Sequence, residues 1–288
     1  RISFFEALAA DLAKYQIELQ VAAGDVKGEQ AARGDSATPP WMRKIKVHSF
    51  KLGRRSVTIT NSRRIWKSSD AVIFPLMGSM LDVYVGLIFK HSRVGVWGHV
   101  DSYTSESNPL DRFLEKCIMR LSGRVFAYTP TGTLAAFDEG IDPSQITTVM
   151  NTYDTSALSQ LIAAERDAQQ KKLAPTQHVP HLAFIGGLDE SKRIGFLAST
   201  LEALSKRGVA FHLDVVGSGV DSHLLSQLVN AGEATMHGYD EGTVKAKVLS
   251  NSRFIVSPGR IGLLAIDALV SGKPVLTTNW QHHGPEYE

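Results

Sequence analysis

The second half of the chain contains three glycine-containing turns with residues that could bind an anion. In the first turn, GGLDESKR, Gly186 and Gly187 let the backbone approach a ligand, and Lys192 and Arg193 add positive charge at a predicted helix start. Cations are unfavourable at the positive end of a helix dipole unless an anion is bound there, so this turn favours phosphate binding. The alternative is a solvated helix start whose basic residues are there by chance.

The third turn lies within residues 253–278, RFIVSPGRIGLLAIDALVSGKPVLTT. This stretch predicts a strand, a tight turn and a helix from about Gly262 to Ser271, which Gly272 and Pro274 end. Because Gly262 has no side chain, the first free amides of the helix can face an anion. An ordinary βαβ crossover with nothing bound is the alternative.

The second turn is Gly217-Ser218-Gly219, directly after an apolar strand. A dinucleotide fingerprint would need a further glycine at position 222, where the chain has Ser222, so the turn does not favour NAD. The three turns follow neighbouring strands, and open α/β sheets bind ligands at the carboxyl ends of their strands. Together they favour a nucleotide as the ligand.

The composition is that of an ordinary globular protein. The chain has 288 residues, of which 43% are hydrophobic and 21% are charged, enough for two domains with a core in each. A net charge of +2 does not favour a nucleic-acid partner. The one cysteine, Cys117, excludes an internal disulfide, fits a reducing compartment and lies on a helical pattern among core positions.

Apolar runs of strand length alternate with helical patterns in both halves. Runs such as HLAFIG and FHLDVV are apolar on both faces, which is typical of buried parallel strands. The alternation predicts an α/β fold of two doubly wound, Rossmann-like domains facing a cleft. Residues 174–180 contain two prolines and no apolar periodicity, so we predict domains over 1–174 and 175–288. We also expect truncation at both ends, since Arg1 lies inside a helical pattern and Glu288 just beyond a strand.

Four blocks of the second half carry a family resemblance. FIGGLDESKR, LDVVGSG, MHGYDE and SPGRIGLLAIDALVSGKPVLTT resemble, in order and spacing, the donor domain of the group-1 (family-four) retaining glycosyltransferases, which have the GT-B fold. RISFFEAL, VWGHVDS and VFAYTPTGTLAAFDEGIDPSQITTVMNTYDT resemble the acceptor domain of the same group. The resemblance covers nearly the whole chain. It implies that 1–174 is the acceptor-side domain and that 175–288 is an incomplete donor-binding domain for a nucleotide-sugar.

The resemblance implies two catalytic residues. Lys192 matches the lysine that holds the donor diphosphate, and His99 matches a histidine that faces the transferred sugar. Asp267 stands where the family usually has a glutamate that binds the ribose hydroxyls. The amides of Gly262 and Leu263 match those that lie against the phosphates. The remaining matched positions are Gly186, Gly187, Arg193, Gly259, Arg260 and Ile261 near the donor, and Gly217, Ser218, Gly219, His237, Gly238 and Tyr239 around the nucleoside.

Two positions depart from the family pattern. The family commonly has arginine where this chain has Gly187, and it has an acidic pair where this chain has Gly259 and Asp267. Losing one charge-assisted phosphate contact forfeits about 1.5–3 kcal/mol, or roughly ten- to over a hundredfold in donor affinity. Arg193 or Arg260 could restore that contact. Gly259 leaves the contact to the sugar, and so the identity of the sugar, open.

The resemblance implies transfer of a sugar from a nucleotide diphosphate donor with retention at the anomeric carbon, by a front-face mechanism without a dedicated metal or cofactor. It implies a glycan, lipid-linked or small-molecule acceptor and a cytoplasmic protein, peripheral to the inner face of the membrane. The alternatives are a catalytically impaired nucleotide-sugar-binding protein of the same fold and a nucleotide-sugar epimerase. His282 and His283 have no nearby carboxylates or cysteines at metal-ligand spacing, and we expect them in a solvated loop.

Overall fold

The structure is a computed structural model that describes residues 2–25, 38–53, 55–100, 109–170, 179–280 and 283. Its contacts separate two compact units, with the division between Asn151 and Thr152. Each unit has a parallel sheet and a hydrophobic core of its own. Residues 24–40 are rich in Gly, Ala, Asp and Pro, which predicts a mobile loop, and they lie mostly outside the described residues.

The described part of the first unit contains short helices around a small parallel sheet. The helices are α1 (Ile2–Ala13), α2 (Arg63–Trp66), α3 (Leu81–Lys90), α4 (Pro109–Leu121) and α5 (Pro130–Asp138). The strands are β1 (Ala22–Ala23), β2 (Arg43–Lys44), β3 (Val47–Leu52), β4 (Arg55–Thr60), β5 (Val72–Pro75), β6 (Val94–Gly98), β7 (Arg124–Ala127) and β8 (Ile146–Thr148).

Strands β5, β6, β7 and β8 form a parallel sheet in chain order, while β3 and β4 form a separate antiparallel hairpin. The sheet is parallel because α3, α4 and α5 each carry the chain back between neighbouring strands. Val94, Val96 and Val125 are almost fully buried in the core of this unit. The apolar run at residues 17–23 predicts a strand, of which the structure contains only β1. The polar stretch at 60–69 predicts a surface helix, of which only the single turn α2 is helical.

The second unit alternates strands and helices throughout its described part. The helices are α6 (Ser156–Gln170), α7 (Ile194–Lys206), α8 (Ser226–Asn230), α9 (Thr243–Asn251) and α10 (Leu264–Ser271), with 3-10 turns at Glu190–Lys192 and Val220–Leu225. The strands are β9 (His181–Ile185), β10 (His212–Val216), β11 (Ala234–Gly238), β12 (Phe254–Val256) and β13 (Val275–Leu276).

The second sheet is parallel throughout, in the order β11-β10-β9-β12-β13. Counted within the unit, this is the order 3-2-1-4-5 of a doubly wound fold, whose direction reverses between β9 and β12. Successive side chains of β9 pack on opposite faces of the sheet. Phe184 packs in the core under α7 and α8, whereas Ala183 and Ile185 pack in the core under α6, α9 and α10. Ligands of such sheets bind at the carboxyl edge beside the reversal.

Helix α6 packs against α9 and α10. The division between the units therefore lies before α6, whereas the sequence places the domain boundary after it, at 174/175. Residues 171–178 lie outside the described part, and the boundary at 174/175 stays a prediction.

The start of α10 differs from the expectation. The helix begins at Leu264, not near Gly262, because Gly262 has a φ of +57° and so lies in the left-handed region. Gly272 ends α10 with a φ of +62°, as the sequence predicts. The loop between β12 and α10 is therefore longer than expected, and its backbone is bent at Gly262.

Candidate functional site

The loops that follow β9, β10 and β11 are joined by backbone hydrogen bonds at the carboxyl edge of the second sheet. The Gly186 amide donates to the Val216 carbonyl at 3.0 Å, and the Gly217 amide donates to the Gly238 carbonyl at 2.7 Å. The Ser218 carbonyl accepts from the Leu188 amide at 2.9 Å. Two of the three predicted glycine turns and the loop that follows β11 are thus brought together, and each fixes the position of the next.

Gly217 is required by this packing. A Cβ added at Gly217 would lie 1.9 Å from the Gly186 carbonyl oxygen, which no side chain can tolerate. Gly219 lies in the same way against the Leu188 carbonyl. The family resemblance places these glycines around the nucleoside, and in the structure the β9 loop packs closely against both of them. Gly187 is half-buried between these contacts.

Lys192 connects the β9 loop to the β12–α10 loop. Its Nζ donates to the Arg260 carbonyl at 2.5 Å and lies 3.3 Å from the Ile261 carbonyl. A Cβ on Gly186 would lie 3.6 Å from the same Nζ, so the ammonium group is also close to the end of β9. The structure brings Lys192, Gly186 and the loop before α10 together, as phosphate binding requires.

Gly259 is packed against the backbone of the β9 loop. A Cβ at Gly259 would lie 2.4 Å from the Ser191 carbonyl oxygen, to which the Arg260 amide donates at 2.8 Å. An acidic residue cannot occupy position 259 with this backbone. The departure at this position therefore has a local physical reason. The Ile261 side chain is 5% exposed and belongs to the core, so its backbone alone can face a ligand.

His283 holds the same loop from the other side. Its Nδ1 lies 3.0 Å from the Gly259 carbonyl and its Nε2 lies 2.7 Å from the Thr278 carbonyl. The His283 carbonyl accepts from the amides of Ile261 at 3.1 Å and Gly262 at 3.3 Å. His283 is 3% exposed, so the expectation of a solvated loop is wrong for it. Its spacing in the sequence carries no signal of this role, because every partner lies in a distant segment or is a backbone group.

The Gly262 amide, expected to lie against a phosphate, is thus bonded to the His283 carbonyl. Leu263 occupies the N-cap position of α10. A phosphate that binds the Gly262 amide must replace that carbonyl.

The Arg193 side chain contacts the residues that follow β12 and β13. One guanidinium nitrogen donates to Thr278 Oγ1 at 2.9 Å and lies 3.4 Å from the Pro258 carbonyl, and the group stacks over the Phe196 ring at 4.6 Å. Its backbone is left-handed, with a φ of 55°. These contacts give Arg193 a structural function in this conformation, whatever it contributes to a ligand.

Asp267 lies in a buried cluster that the sequence reading missed. Its Oδ1 accepts from the Tyr153 hydroxyl at 2.5 Å and lies 2.8 Å from Lys245 Nζ. Burial and the Asp267 carboxylate both raise the pKa of Tyr153, which stays neutral and donates. Burial lowers the pKa of Lys245, and Asp267 and Glu241 raise it by more, so the lysine stays charged. The only sequence signal is a lysine on the buried face of α9.

The His237 imidazole contacts the carboxylate of Asp214 on the neighbouring strand β10. Its Nε2 lies 2.8 Å from Asp214 Oδ1, and His181 Nδ1 lies 2.6 Å from Asp214 Oδ2. Burial raises the pKa of Asp214, but the two imidazoles lower it by more, and the net pKa is below the usual value. Tyr239, two residues on, is 45% exposed at the edge of the sheet. His237 is exposed as well, so a nucleoside can reach both side chains, but the Nε2 of His237 already lies against Asp214.

His99 belongs to the first unit and directly follows β6. The residue is half-buried, and its ring packs edge-to-face on Tyr128 with the centroids 4.6 Å apart. It lies at the carboxyl end of its strand, as the sequence predicts. Among the described residues, no group of three or more His, Cys, Asp or Glu side chains could hold a metal ion. No helix in the described part is long and apolar enough to cross a bilayer.

Comparisons with known proteins agree with this geometry. Residues 179–287 match the family model described as "Glycosyl transferases group 1". No curated protein matches the chain significantly. Sucrose-phosphate synthase from Thermosynechococcus elongatus is similar in structure, with a TM-score of 0.57 and 17% identity over 96% of this chain and 75% of that one. HepE from Anabaena in complex with UDP has a TM-score of 0.52 and 12% identity over 76% of this chain and 62% of that one.

A TarM variant from S. aureus, in complex with UDP and other ligands, has a TM-score of 0.48 and 16% identity over 73% of this chain. The chain spans 42% of the length of that protein and 62% of HepE, less than two thirds of either. The likeness to the synthase and to HepE shows the fold. The predicted class, α/β with Rossmann-like units of the GT-B type, is confirmed.

Proposed function

We propose that this chain carries the chemistry of a glycosyltransferase that moves a sugar from a nucleotide diphosphate donor to a glycan, lipid-linked or small-molecule acceptor. The observation that carries the proposal is the Lys192 ammonium group beside Gly186 and the β12–α10 loop, within the segment that matches the group 1 glycosyltransferase model. A cation at the carboxyl edge of a doubly wound sheet fits a diphosphate.

The main catalytic requirement is to stabilise the leaving diphosphate. When the bond between the sugar and the diphosphate oxygen breaks, the electron pair stays on that oxygen and negative charge develops there. We assign the neutralisation of that charge to Lys192, because a fixed cation in a partly buried site acts without reorganisation. In the front-face mechanism implied by the family resemblance, the acceptor hydroxyl oxygen bonds to the anomeric carbon from the side that the diphosphate leaves, and its proton passes to the leaving diphosphate. The configuration is thereby retained. No step of it uses a metal ion.

The proposal assigns the sugar-orienting function to His99. The residue ends β6 with its ring fixed against Tyr128, so its imidazole has a defined direction. A hydrogen bond to a sugar hydroxyl from a fixed ring acts on positioning, where small displacements can cost about a hundredfold in rate. We also propose a cytoplasmic protein, peripheral to the inner membrane face, where a lipid-linked acceptor would be available.

One observation favours a second candidate, a nucleotide-sugar-binding protein with impaired turnover. Asp267 is committed to Lys245 and Tyr153, and position 259 has no acidic side chain. The family resemblance assigns two carboxylates to the donor. The one at position 259 is absent, and that of Asp267 is already bonded to Lys245 and Tyr153. This candidate keeps the diphosphate contact and loses part of the sugar and ribose contacts.

Incubation of the chain with a panel of nucleotide-sugars tests the proposal. Slow donor hydrolysis that is abolished in Lys192→Ala supports the transferase. Binding without hydrolysis, and without transfer to any added glycan or lipid-linked acceptor, would favour the second candidate. Interconversion of one nucleotide-sugar into another would show an epimerase, and absence of binding to every donor would overturn nucleotide-sugar chemistry altogether.

A further inference from the structure

Four residues near the start of α9 and α10 form a cluster with two carboxylates and one cation: Tyr153, Glu241, Lys245 and Asp267. The Lys245 ammonium lies 2.8 Å from both Asp267 Oδ1 and Glu241 Oε2. The Lys245 and Asp267 side chains are 4% and 7% exposed, whereas the Glu241 side chain is 59% exposed. A buried ion pair therefore holds a third, exposed charged group at its outer end.

The charges of the cluster do not balance. One ammonium group faces two carboxylates, and the Tyr153 hydroxyl is neutral and donates to Asp267. Asp267 Oδ1 accepts from both Tyr153 and Lys245 and is shielded from water. The negative charge that remains is carried by Glu241, at the surface. Of the two carboxylates, Glu241 is the one that a ligand can reach without breaking a buried ion pair, which costs several kcal/mol.

Glu241 also lies at the ligand-binding edge of the sheet. It is three residues beyond Gly238, whose carbonyl accepts from the Gly217 amide at 2.7 Å. The turn that carries it is fixed by Asp240, whose Oδ1 accepts from the amides of Gly242 at 2.8 Å and Lys245 at 3.0 Å. The Asp240 turn thus fixes the backbone of Glu241, and Lys245 fixes its carboxylate. Both lie shortly after the β11 end, which is joined to the β10 loop.

We infer that Glu241, and not Asp267, accepts the ribose hydroxyls of the nucleotide, and that Lys245 positions it. The inference rests on the proposed function, since it places the nucleoside at the carboxyl edge of the second sheet. A carboxylate can accept from both hydroxyls of a ribose, and such charge-assisted hydrogen bonds are about twice as strong as neutral ones. Asp267 then has a structural function, as the buried counterion of Lys245.

Calorimetric binding of UDP and 2′-deoxy-UDP to the whole chain tests the inference, with ADP, GDP and CDP and their 2′-deoxy forms used in the same way. For the nucleoside diphosphate that binds best, the unchanged chain should prefer the ribose form by about ten- to a hundredfold. Glu241→Gln, an exposed substitution that the fold should tolerate, should bring this preference close to one. It should leave the affinity for inorganic pyrophosphate unchanged. Glu202→Gln on α7 removes the same charge away from the edge and should keep the full preference.

The substitution Asp267→Asn distinguishes the function of Asp267 from that of Glu241. It should lower the unfolding temperature, because it leaves Lys245 without its buried counterion, and should keep the ribose preference at a temperature where the variant is folded. A preference that survives in Glu241→Gln would overturn the inference and leave the proposed function intact. Failure of the unchanged chain to bind any nucleoside diphosphate would overturn the proposed function, and the inference with it.

Discussion

Lys192 and Asp214 show how single charges are used in the second unit. The Lys192 ammonium contacts two backbone carbonyls of the β12–α10 loop, those of Arg260 and Ile261. Asp214 is 8% exposed and lies between the imidazoles of His181 and His237. Lys192 thereby joins the loops that follow β9 and β12, whereas Asp214 joins β10 to its neighbours β9 and β11.

Replacing Lys192 by alanine should weaken nucleoside diphosphate binding by about 1.5–3 kcal/mol, because a charge-assisted contact is lost. Binding of the bare nucleoside should barely change. Calorimetry with UDP and uridine measures both values, and Lys206→Ala, at the exposed end of α7, is the matched control. Equal losses for UDP and uridine would remove Lys192 from the phosphate site.

Asp214 predicts a stability loss in acid. Its pKa is lowered on folding, so the unfolded chain takes up a proton first as the pH falls. Its contribution should be complete above the unfolded pKa of about 3.9 and should disappear as the pH falls through the lower folded value. Denaturant unfolding of the chain and of Asp214→Asn from pH 7 to pH 2 should show a difference that is constant above about pH 5 and shrinks below about pH 4.

Asp167→Asn, an exposed change on α6, is the control for the loss of one carboxylate. A stability difference for Asp214→Asn that persists undiminished to pH 2 would show that the Asp214 carboxylate does not lose its contribution on protonation.

At the scale of elements, the β12–α10 loop is set by its contacts with the β9 loop and His283. A Cβ at position 259 would lie 2.4 Å from the Ser191 carbonyl oxygen and 2.6 Å from the Lys192 carbonyl carbon. Both neighbours are backbone atoms that cannot rotate away. The two loops therefore behave as one packed unit, and neither can change shape without the other.

Introducing the acidic residue that the family resemblance expects, Gly259→Glu, should destabilise the second unit by about 1–3 kcal/mol rather than restore a sugar contact. Gly195→Ala on α7 is the matched control. Its Cβ would meet nothing closer than 3.8 Å, and alanine should be neutral or stabilise the helix by up to about 1 kcal/mol. Thermal unfolding of both variants measures the effect. A Gly259→Glu chain as stable as the parent would show that the loops can separate.

The sequence predicted the elements better than their contacts. The helical pattern over residues 109–121 predicts α4 with the bounds that it has in the structure, because the pattern and Pro109 are local signals. Lys192 was placed correctly beside Gly186, since both belong to one turn. The partners of Asp267 and His283 could not be predicted, because Tyr153, Lys245 and Gly259 come from segments far away in the sequence. The proposed functions of the site residues remain predictions.

At the scale of the whole molecule, each unit has its own core, and the described cores share no residue. All proposed nucleotide contacts lie in the second unit, and His99 alone lies in the first. Because the two units have separate cores, we do not expect the whole chain to unfold in a single two-state transition. The units should respond differently to a ligand that binds one of them.

A nucleoside diphosphate at a hundred times its dissociation constant should stabilise the second unit by about 2.7 kcal/mol. Hydrogen exchange should slow in β9, β10 and β12, while β6 and β7 of the first unit exchange as before. Mass spectrometry with and without UDP resolves the two sets of strands. Equal protection in both units would contradict a site confined to the second.

The carbonyl of His283 is an internal competitor for any phosphate at Gly262. The Gly262 amide already has an acceptor at 3.3 Å, and the Ile261 amide has the same one at 3.1 Å. When a phosphate binds, the Gly262 amide would donate to a phosphate oxygen instead of to the His283 carbonyl. The gain in affinity would be only the difference in free energy between these two hydrogen bonds. Binding would also free the His283 backbone from the loop. Phosphate binding at Gly262 is thereby coupled to the release of the His283 backbone, and the hydrogen bonds to His283 lower the affinity for phosphate.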